Sequence, residues 1–170
     1  MSNVKEDILT TLRSMQREHI EDVIEYMLKH GFFKRGCNGH HRYVGGLADH
    51  AWQTFLFAKN LEEEYCKKHP NHKMVDMNSL ALCCLLHDFC DCSGMEKLGG
   101  HGLRSAIMLT ELGLHLSKEE FLAIRFHLSL KNKTGHTLYN DALHCHLSYI
   151  VHKADGLSAK SYRGSSITKI

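Results

Sequence analysis

The chain has 170 residues, 43% of them hydrophobic, with a formal net charge of +2. That length supports one domain with a real core, the apolar content argues against disorder, and the small charge gives no push toward nucleic acid or a membrane surface. A single proline suits a helical protein, and fifteen histidines raise the question of metal chemistry, because neutral imidazole is the commonest metal ligand.

In chain order, Lys5 to Lys29 carries apolar residues at amphipathic-helix spacing, in one helix or in two joined near Glu18, and Gly31 is the expected stop. FFKRGCNGHHRYVGG, rich in glycine, reads as a loop. The adjacent His40 and His41 in it are candidates for touching substrate, because the loop leads into His50. Leu47 to Lys68 is helical again, with His50 in its first turns, and KKHPNHK is a loop whose His69 and His72 read as solvated. Next comes the stretch LALCCLLHDFCD from Leu80 to Asp91. Its continuous apolar run predicts a buried helix, capped by Asn78 or Ser79 and running to about Cys90. It delivers His87 and Asp88 into the interior, where a charged Asp is costly unless paired or bound to a cation. After a loop, Gly99 to Gly102 opens a helix that Gly113 ends. Ser117 and Glu120 have capping-box spacing and start another, with His127 near its end. A last long helix from about Leu138 to Lys160 carries Asp155.

Seven cysteines is an odd number, no CxxC pair is present, and Cys83 and Cys84 lie inside the apolar run. A reduced, cytoplasmic setting is expected rather than a disulfide framework. The polar, amphipathic start MSNVKEDILT predicts no signal peptide, and no apolar run approaches the roughly 18 residues of a membrane span. The expected architecture is therefore all-α, a single domain over residues 1–170 with about six or seven helices.

The candidates in order are His50, His87 with Asp88, His101, His127 and Asp155. The pieces that hold them are GGLADH, LLHDF, GHGLRSA, AIRFH and KADGLSA. This order and context resembles the HD-domain superfamily of metal-dependent phosphohydrolases, over about residues 45–159. The resemblance implies a helical HD core over about 45–160, with a helical extension at about 5–30 before it and a loose tail at 161–170. It implies metal ligands at His50, His87, Asp88 and Asp155. It also implies, as in members with two ions, ligands at His101 and His127, with Asp88 bridging. Nitrogen and carboxylate ligands favour Mn, Fe, Co, Ni or Zn over Mg, as one or two ions. The implied reaction is hydrolysis of a phosphate mono- or diester by metal-activated water, with a nucleotide or related small molecule as substrate. Asp88 and Asp91 are then the catalytic carboxylates.

One departure stands out. Many members follow the His-Asp pair with Ile-Gly-Lys, whose lysine serves the phosphate, whereas this chain has Phe89-Cys90-Asp91. Asp91 is either an acid that orients or deprotonates the water or a surface residue. The missing positive charge is sought at Arg104 or Lys97, with Arg125 and Lys131 behind them. Two other readings fit the same histidines, an HD-fold di-iron oxygenase and a non-catalytic metal- or ligand-binding regulatory domain. No attached nucleic-acid-binding domain is visible, and the N-terminal amphipathic segment suits a homodimer as readily as the core.

Overall fold

The apolar spacing between Lys5 and Lys29 folds as two helices, α1 (Val4–Ser14) and α2 (Ile20–His30). Between them Gln16 and His19 take left-handed φ values of 51° and 62°, which a continuing right-handed helix excludes. Gly31, at φ 81°, stops α2 as expected. The computed structural model describes residues 3–37, 39–93, 100–128 and 137–165. Among them the chain is all-helical, continuing with α3 (Gly46–Lys68), α4 (Met77–Leu86), a 3-10 helix (Phe89–Ser93), α5 (His101–Glu111), α6 (Lys118–Phe126), α7 (Thr137–His144) and α8 (His146–Ser165).

Three local expectations are corrected. The cap of α4 is Asp76, whose side chain accepts the Ser79 N–H at 2.8 Å, so the aspartate ahead of Asn78 and Ser79 takes the role. The buried helix ends at Leu86, not near Cys90, and the chain turns at His87–Asp88 into the tighter 3-10 segment. The last long helix is two helices broken at Cys145, which brings the total to eight α-helices instead of six or seven.

Every residue of α4 from Leu80 to Leu86 is buried. Burying each leucine contributes roughly 1.5–3 kcal/mol, which makes this helix the axle of the bundle. It packs against α1, α3, α6 and α8, while α3 lies along α8 and α5 along α6. One contiguous apolar core runs from Ile8 to Ala154 and includes Val23, Ile24 and Met27 of α2, so both N-terminal helices belong to it. Gly102 lets α5 approach α6: a Cβ there would sit 2.3 Å from the Ile124 carbonyl oxygen. No helix among the described residues is long and apolar enough to cross a membrane.

One buried carboxylate fastens the N-terminal helices to this bundle. Glu120 in the first turn of α6 forms the expected capping box with Ser117 and accepts the Ser79 hydroxyl at 2.7 Å. Arg17, from the α1–α2 turn, clasps both of its oxygens. Burial pushes the Glu120 carboxyl up, but Arg17, the Ser117 N–H and Ser79 hold it net below the usual range. Its contribution to stability is therefore present above the unfolded value of about 4.3 and is lost as pH falls through the lower folded value. Arg17→Ala leaves that carboxylate buried without its cation. Because Arg17 is partly exposed, the expected loss is about 2–3 kcal/mol, below the full cost of breaking a wholly buried pair. Urea unfolding should show it, together with an acid transition moved to higher pH.

Candidate metal centre

The six residues His50, His87, Asp88, His101, His127 and Asp155 come together in one place, from five different helices or helix ends. His50 lies in the second turn of α3 and Asp155 in the middle of α8, two helices packed side by side. His101 is the first residue of α5. His87 and His127 each follow the last residue of a helix, α4 and α6.

That shared position explains the orientation of both rings. The last carbonyls of a helix lack intrahelical donors. His87 Nδ1–H donates to Cys84 O at 2.8 Å, and His127 Nδ1–H donates to Ile124 O at 2.7 Å. A carbonyl only accepts, so in each neutral ring Nδ1 carries the proton and Nε2 presents a lone pair to the interior. The negative ends of two helix dipoles point the same way. His152, on α8, donates to the His127 carbonyl, so it supports the centre from behind.

Asp88 divides the donors into two sets. Its Oδ2 lies 3.8 Å from His50 Nε2 and 3.5 Å from His87 Nε2. Those nitrogens are 3.1 Å apart, and Asp155 Oδ1 is 3.2 Å from the first and 3.8 Å from the second. Its Oδ1 faces the other set, 2.6 Å from His101 Nε2 and 3.2 Å from His127 Nε2. Neighbouring ligands on an ion with bonds of about 2.1 Å lie roughly 3.0 Å apart in octahedral and 3.4 Å in tetrahedral geometry. In the first set the His50–His87 and His50–Asp155 pairs fall within that spacing, at 3.1 and 3.2 Å, and the other pairs lie at 3.5–3.8 Å. His127 Nε2 is buried and has no hydrogen-bond partner, an orphaned donor atom of the kind a cation would satisfy. The buried histidine and aspartate groups therefore form a site able to hold a metal ion.

The electrostatics describe a hole that draws positive charge. Burial pushes the His87 imidazole down to about 4, so it stays neutral. Burial opposes the charged forms of Asp88 and Asp155 as well, yet the surrounding imidazoles hold both below the usual carboxylate range. Burial likewise opposes protonation of His101 and His127, but Asp88 raises both, His101 to about 11. A proton on His101 Nε2, 2.6 Å from Asp88 Oδ1, thus answers part of the Asp88 charge.

The remaining candidates fall at different distances from this centre. Asp91, in the 3-10 helix, lies 3.5 Å from His101 Nδ1 and is mostly covered, with a side chain 14% exposed. His41 is fully buried, with Nε2 on Gln53 at 3.2 Å and its ring stacked on Tyr162. Its ring also lies 5.3 Å from that of His50. His40 Nδ1 is 3.1 Å from His41 Nδ1, and the His40 ring leans over His50 at 4.5 Å. Arg104 sits half-buried on α5, one turn after His101. Lys97 and Lys131 lie outside the described residues. Arg125 is half-buried beside Gly100, and burial lowers its pKa with no acid partner among the described residues.

Four further residues support the centre, of which Ser158 and Gln53 have no signal in the sequence. Ser158 holds His50 Nδ1 at 2.9 Å and lies 3.5 Å from Gln53 Oε1. Cys90 lies 3.5 Å from His101 Nδ1, and His40 sits over His50. The Ser158 contacts join residues more than 100 positions apart, and the others join neighbouring segments across a turn.

No family model, curated protein or solved structure matches the chain significantly.

Metal held at this centre must displace the proton on His101, whose pKa Asp88 raises to about 11, so its apparent affinity should rise with pH by about tenfold per unit. Titration with Mn or Zn between pH 6 and 8 reads this. His87→Ala or Asp88→Ala should remove the metal that belongs to this centre, read by plasma mass spectrometry as a lower content per chain than the parent, while far-ultraviolet circular dichroism keeps its helical form.

Proposed function

We propose that the chain is an HD-type phosphohydrolase whose Asp88 carboxylate is shared by two divalent transition-metal ions. The observation that carries this reading is that the two oxygens of Asp88 face two separate histidine sets, one completed by Asp155. His50, His87, Asp88 and Asp155 would hold one ion, and Asp88, His101 and His127 the other. When bound, such ions acidify a water and neutralise charge on phosphoryl oxygens.

The chain's own residues divide the remaining work. Asp91 stands behind His101 and orients its ring, as a carboxylate commonly does behind a metal-binding histidine. Its covered position favours this role over that of a surface residue. Arg125, beside the start of α5 and without an acid partner among the described residues, suits a phosphate. His40 and His41 both pack on the His50 ring, but His41 is fully buried and His40 half-buried, so His40 rather than His41 meets the substrate. The deeper donors are sealed, and the partial exposure of Asp88, Asp91, Asp155 and His101 marks the side from which a substrate enters. That substrate is a small-molecule phosphate ester, with a nucleotide the first class to try. Seven free cysteines fit a reducing, cytoplasmic setting.

The test is phosphate release by protein purified without chelator, over a panel of mono- and diesters with Mn, Fe, Co, Ni, Zn or Mg. Release that depends on metal and disappears in Asp88→Ala supports the proposal. Two irons per chain with oxygen consumption and no release would replace it with the oxygenase reading, and metal without any turnover would leave a regulatory domain. Asp91→Asn should weaken metal binding or activity by about 10–100-fold. Arg125→Met should raise KM roughly tenfold or more, with kcat less affected.

A further inference from the structure

A second group of donors lies well away from Asp88. Glu62 is on α3, His72 in the turn before α4, and His146 is the first residue of α8. Their ligand atoms lie within 4.8 Å of one another. Glu62 is fully buried, which is costly for a carboxylate unless its charge is met. It accepts the Val75 N–H at 2.9 Å on Oε1 and pairs with His146 Nε2 at 2.6 Å on Oε2. Burial pushes the Glu62 carboxyl up, but Val75 and His146 hold it net below the usual range, so it is ionised.

His72 separates this group from an ordinary ion pair. Its Nε2 atom is buried, lies 3.4 Å from Glu62 Oε1, and makes no hydrogen bond. A protonated Nε2 there wastes a buried donor, and a bare one sets a lone pair against a carboxylate oxygen. A shared cation removes both problems, and 3.4 Å is close to the spacing of two ligands on a tetrahedral ion with bonds of about 2.1 Å. The His72 and His146 rings lie 4.3 Å apart, and the Tyr65 ring packs against both. Two imidazolium charges so close would repel, whereas two neutral rings can bind one ion. The side chains of His72 and His146 are 22% and 21% exposed and that of Glu62 1%, so the carboxylate is the floor and the imidazoles the rim.

We infer that Glu62, His72 and His146 form a peripheral site for one divalent transition-metal ion, zinc fitting the two-nitrogen, one-carboxylate donor set. The ion ties the 69–76 turn and the start of α8 to α3. His50 lies twelve residues before Glu62 on α3, and Asp155 nine after His146 on α8. By helical rise those separations are about 18 Å and about 14 Å. The site therefore clamps the far ends of the two helices that bring His50 and Asp155 together, without touching the Asp88 centre.

The experiment is zinc content of the full chain after equilibrium dialysis, read by plasma mass spectrometry, together with thermal melting in zinc. Glu62→Gln and His72→Asn should each hold one zinc fewer per chain than the parent and lose part of its zinc-dependent rise in Tm. His87→Ala, which disrupts the other centre, should keep the part that belongs to this site. Glu62 is buried and its variant risks unfolding; His72→Asn, at the rim, then decides. Equal zinc content and equal melting shifts in the parent and His72→Asn overturn the site and leave a Glu62–His146 ion pair, as does a His87→Ala protein that takes up no zinc. None of these readouts depends on phosphate release, so the site stands or falls separately from the proposed activity.

Discussion

A carboxylate buried among imidazoles is the constraint around which this bundle is built. Among the described residues no arginine or lysine pairs with Asp88; it has His50 and His87 on one oxygen and His101 and His127 on the other. Each imidazole is a conditional donor. It can give a proton to Asp88, or it can give a lone pair to a cation that Asp88 also binds. The apolar faces of α3, α4 and α8 press these groups into a volume where bulk water cannot screen them, so a positive charge of some kind has to be present.

The helices supply that arrangement through their ends as much as through their faces. His87 and His127 use the same device at the ends of α4 and α6, donating Nδ1–H to the carbonyl three residues back and turning Nε2 inward. A helix end buried without partners would be unstable, and here the histidine that satisfies the end is also the histidine that serves the centre. Gly102 adds to this. By allowing α5 close against the Ile124 carbonyl it places His101 beside the same backbone group that orients His127. A larger side chain there would disturb both rings of one set at once.

Much of this was legible from the chain alone, for a definite reason. His87 and Asp88 follow an apolar run whose burial is forced, and His101, His127 and Asp155 sit on helices whose caps and apolar spacing are local signals. The capping box at Ser117 and Glu120 and the stops at Gly31 and Gly113 are local too. What escaped depends on tertiary contact. The break at Cys145 leaves no apolar gap, yet it starts α8 where His146 can meet Glu62. Asp76 outcompetes Ser79 as a cap by a difference of three residues that periodicity cannot resolve. His72 reads as a solvated loop histidine because nothing nearby in sequence announces the carboxylate it faces. His40 likewise gains its place only when α3 brings His50 beneath it.

Three buried carboxylates show how the surrounding donors decide what a site can become. Glu120 is met by Arg17, the Ser117 N–H and the Ser79 hydroxyl, donors that do not give up their protons at neutral pH. Its charge is answered permanently, and a metal would gain nothing by displacing them. Asp88 is met by imidazoles, whose protons are exchangeable near neutrality and whose lone pairs are good ligands. Glu62 lies between the two. The Val75 N–H fixes one lone pair of its Oε1, while His146 and the unsatisfied Nε2 of His72 leave the rest open to exchange. The same burial that makes a carboxylate a structural clasp at α6 thus makes it able to take a metal where histidine replaces arginine, because histidine, unlike arginine, can change from proton donor to electron-pair donor without leaving its place.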